Sequence, residues 1–123
     1  MTEKQFRTIA LSLNDAIEGE HMGHPDFRSF GKIFATIHKD RKTGMVKLTS
    51  DQQQEFVRRY PEGFAPEAGG WGRQGCTRVT FASADAEIVG QAMTLAWQNV
   101  GKRKPKGNRR LPRRLKTRES ENK

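Results

Sequence analysis

The N-terminal residues carry apolar side chains at the three- and four-residue spacing that places them on one face of an α-helix. Thr2 and Gln5 have the spacing of a capping box, which is typical of a helix start. The polar pair Asn14-Asp15 ends the pattern. The sequence therefore predicts an amphipathic first helix that starts at Thr2. Its apolar face comprises Phe6, Ile9, Ala10 and Leu13.

Alternating polar and apolar residues in the next part of the chain predict β-strands. We expect a short strand over 18–22, extended chain over 26–38 and a strand over 45–49. The polar turn KDRKTG, residues 39–44, would join the last two as a hairpin with a basic tip. The alternation is clearest where Ile33, Ala35 and Ile37 take turns with Phe34, Thr36 and His38.

Two helices, a loop and a strand are predicted for the rest of the folded part. Ser50 and Gln53 have capping-box spacing at the start of the second helix. Residues 61–75 are rich in Gly and Pro and are expected to be mostly loop. A strand over 76–82 and a helix over about 85–100 complete the pattern. Short connections between strands predict an α+β fold, with an antiparallel sheet and three helices packed mainly on one face.

The net charge is confined to the C-terminal end of the chain. Residues 101–123 hold eleven Lys or Arg and two Glu, whereas residues 1–100 hold twelve basic and twelve acidic side chains. The last segment therefore carries the whole formal charge of +9. It has too few apolar side chains to offset the entropy of ordering it. We expect one domain over 1–100 and a disordered basic tail over 101–123 that attracts polyanions such as nucleic acid.

Other features of the composition favour a cytoplasmic protein, with association to the nucleoid as a further expectation. Cys76 is the single cysteine, so no intramolecular disulfide can form, which fits a reducing compartment. No apolar run approaches the roughly 20 residues that a membrane span needs. The N-terminus is polar and opens into a helix, which is not the pattern of a secretory signal peptide.

Two segments invite a chemical interpretation. Gly70–Gly75 matches the GxGxxG pattern, but no strand precedes it and a strand-like segment follows, so the context of a dinucleotide site is missing. We expect a flexible connection in which Trp71 folds back as a lid over the core, and contact of Trp71 and Arg73 with a ligand is the alternative. The other segment, residues 18–26, is dense in possible ligands, although a metal would need three or four of them to converge. Its candidate ligands are Glu18, Glu20, His21, His24 and Asp26.

No catalytic signature is visible in the sequence. Cys76 lacks an activating neighbour and is interpreted as a partly buried strand thiol. We therefore predict no enzymatic activity, no metal and no cofactor. An alternative stays open, in which a small-ligand protein, metal protein or enzyme uses residues 18–26 and 69–75. That alternative predicts a concave pocket where the two segments meet.

Several segments of residues 4–102, read in order, carry a family resemblance. They are ALSLNDAIE, HMGHPDFRSFGKIFATI, MVKLTSDQQQEF, an aromatic and Gly-rich loop with Trp71, and LAWQNV. With these features the chain resembles the MmcQ/YjbR family of small bacterial proteins. The resemblance implies a fold likened to CyaY (frataxin), with a double-wing arrangement of strands, and a DNA-binding role. It matches Arg28, Lys32 and Lys47 to the family's recurring FR, GK and VKL elements and implies no catalytic residue.

Taken together, these features predict a non-enzymatic DNA-binding protein of low sequence specificity that does not bind membranes. The tail would supply phosphate contacts, and the 39–44 hairpin would help to position the domain. RNA or ribosome association through the same tail remains open, as does the oligomeric state. The predicted contacts are Arg28, Lys32, Lys39, Arg41, Lys42, Lys47, Lys102, Arg103, Lys104, Lys106, Arg109, Arg110, Arg113 and Arg114.

Overall fold

A computed structural model describes residues 1–101, which form one six-stranded sheet and four helices. All neighbouring strands are antiparallel, and their order in the sheet is β1-β2-β3-β4-β6-β5. The predicted α+β class with an antiparallel sheet is confirmed. The strands are β1 (Ile17–His21), β2 (His24–Ser29), β3 (Lys32–Ile37), β4 (Thr43–Lys47), β5 (Phe64–Pro66) and β6 (Cys76–Thr80). The helices are α1 (Glu3–Leu11), α2 (Ser50–Arg59), α3 (Gly69–Arg73) and α4 (Ala86–Gly101).

Two-residue turns lie at both ends of β2. Met22-Gly23 joins β1 to β2 with φ values of 52° and 85°, and Phe30-Gly31 joins β2 to β3 with φ values of 56° and 75°. Positive φ at both central residues is what a type I′ hairpin turn requires. The first position of each turn holds an exposed, large apolar residue in a conformation that usually favours Asn, Asp or Gly. These short loops fix the register of β2 against both neighbours.

A β-bulge between β2 and β3 decides which side chains of β3 reach the core. Phe27 pairs with Ala35, but the next residue, Arg28, pairs with Ile33, so Phe34 is an extra residue in the ladder. Phe34 and Ala35 are both buried, and Ile33 shares the face of Arg28. The strict alternation predicted for β3 is therefore wrong at its start, because the bulge moves Ile33 out of the core.

The core lies between one face of the sheet and helices α1, α2 and α4. Phe6 of α1 is central to it, with its ring centroid 5.0 Å from that of Phe81 and 6.3 Å from that of Phe27. Helix α4 packs across β2, β3 and β4. Helix α2 joins the same core through Phe56, whose ring lies 5.3 Å from that of Phe64 on β5. One continuous core therefore leaves the second face of the central strands for polar side chains.

Helix α2 starts one residue before the predicted position. The capping box is formed by Thr49, whose hydroxyl accepts from the backbone N–H of Gln52, while the Gln52 side chain accepts from the Thr49 N–H. The predicted pair, Ser50 and Gln53, is wrong because Gln53 is buried and its amide is used elsewhere. The capping box predicted for α1 is confirmed.

The predicted 61–75 loop contains regular structure. It holds β5 and the one-turn helix α3, and the lid predicted for Trp71 is wrong, since this side chain is 68% exposed. The buried residue of α3 is Gly72, where a Cβ would overlap the Glu67 carbonyl oxygen. Backbone contact at a glycine thus fixes α3 and leaves the indole outside. Residues 81 and 82, predicted as the end of a strand, belong to a 3₁₀ turn over Phe81–Ser83.

Predictions for the basic tail lie outside the described residues. Within residues 1–101, no helix combines the length and apolar character required to cross a membrane. The tail predictions are its disorder and the nucleic-acid contacts of Lys102, Arg103, Lys104, Lys106, Arg109, Arg110, Arg113 and Arg114.

A cationic cleft on the second face of the sheet

A cleft of about 680 Å³ lies on the sheet face opposite the core. On β4, the cleft residues Met45 and Lys47 alternate with Gly44 and Val46, which are buried. Both segments that sequence analysis singled out, 18–26 and 69–75, contribute to it. The lining residues are His21, His24, Arg28, Gly31, Lys32, Ile33, Thr36, His38, Met45, Lys47, Glu67, Ala68, Trp71 and Cys76.

An ion network fixes the β1–β2 side of the cleft. Asp26 is fully buried, and its carboxylate accepts two hydrogen bonds from Arg28 at 2.8 and 3.0 Å. His21 Nδ1 lies 2.7 Å from Asp26 Oδ2, the oxygen that also accepts the longer of the two bonds from Arg28. The Arg28 guanidinium, helped by His21 and opposed by burial, holds the pKa of Asp26 below its ordinary value. Gly19 on β1 makes room for the network, since a Cβ there would lie 2.9 Å from Asp26 Oδ1.

A second side-chain contact joins the end of β3 to the segment that precedes α3. His38 Nε2 lies 2.8 Å from Glu67 Oε2, and His38 Nδ1 lies 2.8 Å from the Thr43 hydroxyl. That hydroxyl also donates to Asp40, which accepts two backbone N–H groups in the β3–β4 turn. These backbone bonds, that of Lys42 first, lower the pKa of Asp40. The arrangement ties the turn, His38 and the cleft wall together.

Two lysines give the cleft its free positive charge. Within residues 1–101, neither Lys32 nor Lys47 forms a salt bridge, whereas Arg28 is paired with Asp26. The one carboxylate in the lining, Glu67, is paired with His38. Lys47 lies on the cleft face beside Met45, and Lys32 lies at the end of the lining next to the Phe30-Gly31 turn, so these residues make this side of the domain attractive to anions.

A histidine beside these cations has an unused polar atom. His24 Nδ1 is buried and has no hydrogen-bond partner within residues 1–101. The centroid of its ring lies 4.6 Å from that of His21, and His21 itself contacts the Asp26 carboxylate. Buried polar atoms in proteins are nearly always paired. The segment 18–26 therefore contributes two imidazoles to the cleft lining. Within residues 1–101, no group of three or more His, Cys, Asp or Glu is arranged to hold a metal ion.

The opposite wall of the cleft is held by a buried amide. Gln53 of α2 donates through Nε2 to the Gly72 carbonyl and to the Cys76 carbonyl, both at 2.9 Å. These bonds fasten α3, and with it Trp71, to the start of β6. Cys76 is the buried strand thiol that the sequence predicted, and burial raises the pKa of its thiol, an effect that Lys47 opposes. A thiol with a raised pKa is a poor nucleophile at neutral pH.

The basic tip of the β3–β4 hairpin is separate from the cleft. None of its three predicted contact residues lines the cleft. Arg41 bonds to Glu3 of α1 at 2.8 Å, so its charge is engaged. Lys39 extends beside Gly23 of the β1–β2 turn, and Lys42 forms no salt bridge within residues 1–101. Of the six predicted contacts in the domain, Arg28, Lys32 and Lys47 meet in the cleft, and Lys39, Arg41 and Lys42 form the tip.

Comparison with known protein families identifies the family of this chain. A family model described as YjbR matches residues 11–99, most of the chain. The chain belongs to the YjbR family. This YjbR domain is similar to the crystal structure of the Deinococcus radiodurans protein DR2400, described as a DUF419 domain. The two share 18% sequence identity and a TM-score of 0.68 over 82% of this chain and 79% of the other, which shows a common fold. Comparison with curated proteins finds no match.

Sequence analysis missed part of the YjbR cleft. It did not select Ile33, His38, Met45 or Glu67 as site residues, although all four line the cleft. Strand alternation places His38 and Thr36 on one face of the sheet, so the sequence pattern could have predicted that both line the same site. Ile33 joins that face only through the bulge, and Glu67 only through the packing of α3.

Proposed function

We propose that this YjbR family protein binds nucleic acid without catalysing a reaction, with low sequence specificity and with DNA as the preferred partner. One observation carries the proposal: residues 1–100 have no net charge, and residues 101–123 carry +9. A short cationic segment beside a neutral domain gains affinity for a polyanion by releasing counterions from the phosphates it contacts. Such contacts give affinity without reading the base sequence.

The place where the basic segment starts supports this proposal. Gly101, the last residue of α4, packs against Phe30 so closely that a Cβ there would lie 2.8 Å from the ring. Phe30 and Gly31 form the turn that leads into Lys32, a cation of the cleft. A polyanion held by the segment would therefore start beside the positive side of the domain. The free charges of the domain and of the segment would then add.

The hairpin tip offers a second contact for the same partner. Lys39 and Lys42 are exposed and form no salt bridge within residues 1–101. The tip stands next to the β1–β2 turn, where Met22 is exposed. Two neighbouring hairpin turns, one of which carries the free cations, support the double-wing arrangement that the family resemblance implies. Phosphate contacts from such turns would position the domain on a duplex. A role of this kind implies a cytoplasmic, nucleoid-associated protein.

The proposal is tested by binding of a random-sequence DNA duplex, followed by fluorescence anisotropy at fixed salt. A full-length variant with the eleven Lys and Arg of 101–123 changed to Gln should lose most of its affinity, because at least six phosphate contacts would be removed. The paired change Lys39→Gln and Lys42→Gln should weaken binding about three- to tenfold. Lys4→Gln is the control and should bind like the wild type, because Lys4 is an exposed residue of α1, on the core side of the sheet.

Competition with structured RNA tests which nucleic acid is preferred. Attraction to phosphates does not distinguish ribose from deoxyribose, so the preference has to come from the domain. We expect duplex DNA to compete better than RNA of equal length. If RNA competes more strongly than DNA, the preferred partner is RNA or the ribosome and not DNA. Equal affinity of the wild type and the neutralised variant for both polymers would refute the proposal.

A further inference from the structure

From the cleft we infer a second binding activity: this site takes a small phosphomonoester that carries a flat ring, the size and chemistry of a nucleoside monophosphate. The volume of about 680 Å³ lies within the range of small-molecule sites, roughly 300–1,000 Å³. The inference goes beyond nucleic-acid binding, because the ligand would be held by residues of the sheet and of α3 and not by the basic segment.

The charge of the cleft selects a dianion. Lys32 and Lys47 are the two cations in the lining without a salt bridge among residues 1–101. A phosphomonoester carries nearly two negative charges at neutral pH, so the positive charges of these two residues attract it more strongly than they attract a carboxylate, which carries one. Of the nearby acids, Asp26 has its charge compensated by Arg28, and Glu67 is engaged by the imidazole of His38.

His24 offers a hydrogen bond that the domain itself does not use. His24 lines the same cleft, and its Nδ1 is buried and has no partner within residues 1–101. The ring packs on that of His21, whose Nδ1 lies 2.7 Å from the Asp26 carboxylate. Because Nδ1 has almost no accessible surface, a ligand oxygen would reach it only after the ring turns toward the cleft. The hydrogen bond formed then would satisfy a polar atom that the described residues leave unpaired.

The other half of the cleft suits a flat ring. Ile33 and Met45 supply apolar surface, and Trp71 is 68% exposed on the wall. An exposed indole on a fixed helix is a stacking platform, and Gln53 fastens that helix through the Gly72 carbonyl. A ring stacked on Trp71 would shield an indole that the described residues leave largely exposed. The phosphate would point along the sheet toward the lysines.

Isothermal titration calorimetry with the full-length protein and adenosine 5′-monophosphate as the probe tests this inference. We expect saturable binding, and about tenfold weaker binding by Lys47→Gln, because a charge-assisted contact is lost. Trp71→Leu should also weaken binding, about fivefold or more, through lost stacking. Lys4→Gln, which removes an equal charge from the far side of the sheet, should not change the affinity. Adenosine and inorganic phosphate should each bind more weakly than the nucleotide.

Methyl chemical shifts keep the test informative if a variant unfolds. In the wild-type protein, the nucleotide should shift the methyl signals of Ile33 and Met45 and leave Leu11, on α1, unchanged. No saturable binding of the nucleotide, or an equal loss of affinity in Lys47→Gln and Lys4→Gln, would overturn the inference. A 5′-phosphorylated oligonucleotide that competes when its 5′-hydroxyl counterpart does not would identify a strand end as the source of the phosphomonoester. Competition by the free nucleotide alone would identify a metabolite.

Discussion

Changing Asp26 to Asn should destabilise the domain through the β1–β2 side of the cleft. The Asp26 carboxylate is fully buried and has three short contacts, two from Arg28 at 2.8 and 3.0 Å and one to His21 at 2.7 Å. Asn keeps the size of the side chain but removes its charge and turns one acceptor into a donor. Because Arg28 donates to both oxygens of the carboxylate, the amide group of Asn would face a donor of the guanidinium in either orientation, and that contact becomes repulsive.

The expected loss is about 2 kcal/mol of the free energy of unfolding at pH 7. Hydrogen bonds to a charged group contribute roughly 1.5–3 kcal/mol each, but these are not additive. The side chains of Arg28 and His21 are each 39% exposed and regain water when the carboxylate is lost, which reduces the total. For a domain of about 100 residues, a loss of this size lowers the melting temperature by roughly 8–16 °C.

The pH dependence gives the sharper test. Because Arg28 and His21 lower the pKa of folded Asp26 below its ordinary value of 3.8, the carboxylate stabilises the fold above that value. This stabilisation is lost as the pH falls through the folded pKa. The stability difference between wild type and Asp26→Asn, measured by urea unfolding, should therefore shrink as the pH falls below about 4. Glu20→Gln, an exposed carboxylate on β1 without a salt bridge in residues 1–101, is the control and should change stability by less than about 0.5 kcal/mol.

The account of the ion network fails if Asp26→Asn unfolds at the same urea concentration as Glu20→Gln. It fails equally if the destabilisation is the same at pH 7 and at pH 3, since that would mean a purely steric effect. A partial loss that disappears at low pH is the outcome that the network predicts.

Three further predictions test other parts of the structure. Thr49→Ala should lower the free energy of unfolding in urea by about 1 kcal/mol and Ser50→Ala by less than half of that, because Thr49 is the N-cap of α2. A larger loss in Ser50→Ala would show that Ser50 is the N-cap, as the sequence predicted. Gly75→Ala should lower the free energy of unfolding by more than about 3 kcal/mol, since φ is +110° and the new Cβ would overlap a carbonyl oxygen. Gly31→Ala, at φ +75° in open space, should lower it by about 1 kcal/mol, and equal losses in the two variants would contradict the packing around Gly75. Cys76, buried and with a raised thiol pKa, should react with a thiol reagent at pH 7 far more slowly in the folded protein than in urea; equal rates would show that it is accessible.

Local patterns in the sequence were enough for the start of the first helix and for the fold class, although this helix ends at Leu11, before the predicted Asn14-Asp15. The spacing of Thr2, Gln5 and the apolar face of α1 is a local property that tertiary packing does not alter. Alternation likewise indicated the strands of an antiparallel sheet. The details that failed depend on contacts between distant segments. Ser50 and Gln53 have the right spacing for a cap, but Gln53 is taken by carbonyl groups around residues 72 and 76.

The cleft was predictable only in part for the same reason. The segments 18–26 and 69–75 were selected for their chemistry, and the structure brings both to one cleft. The position of Ile33 follows from a one-residue bulge, which leaves no periodic signal. The exposure of Trp71 follows from a glycine packed on the backbone of a preceding loop. Neither could be read from composition or spacing.

The salt dependence of DNA binding is the most direct test of the claim that residues 101–123 anchor a nucleic acid. If six to nine of their cations engage phosphates, the slope of log binding constant against log salt should be roughly −5 to −8 for the wild type. A full-length variant with the same segment in scrambled order should keep that slope, because the attraction depends on charge. The variant with its eleven cations changed to Gln should bind weakly, with a much flatter slope. A wild-type slope near zero, or an unchanged slope in the neutralised variant, would contradict the account.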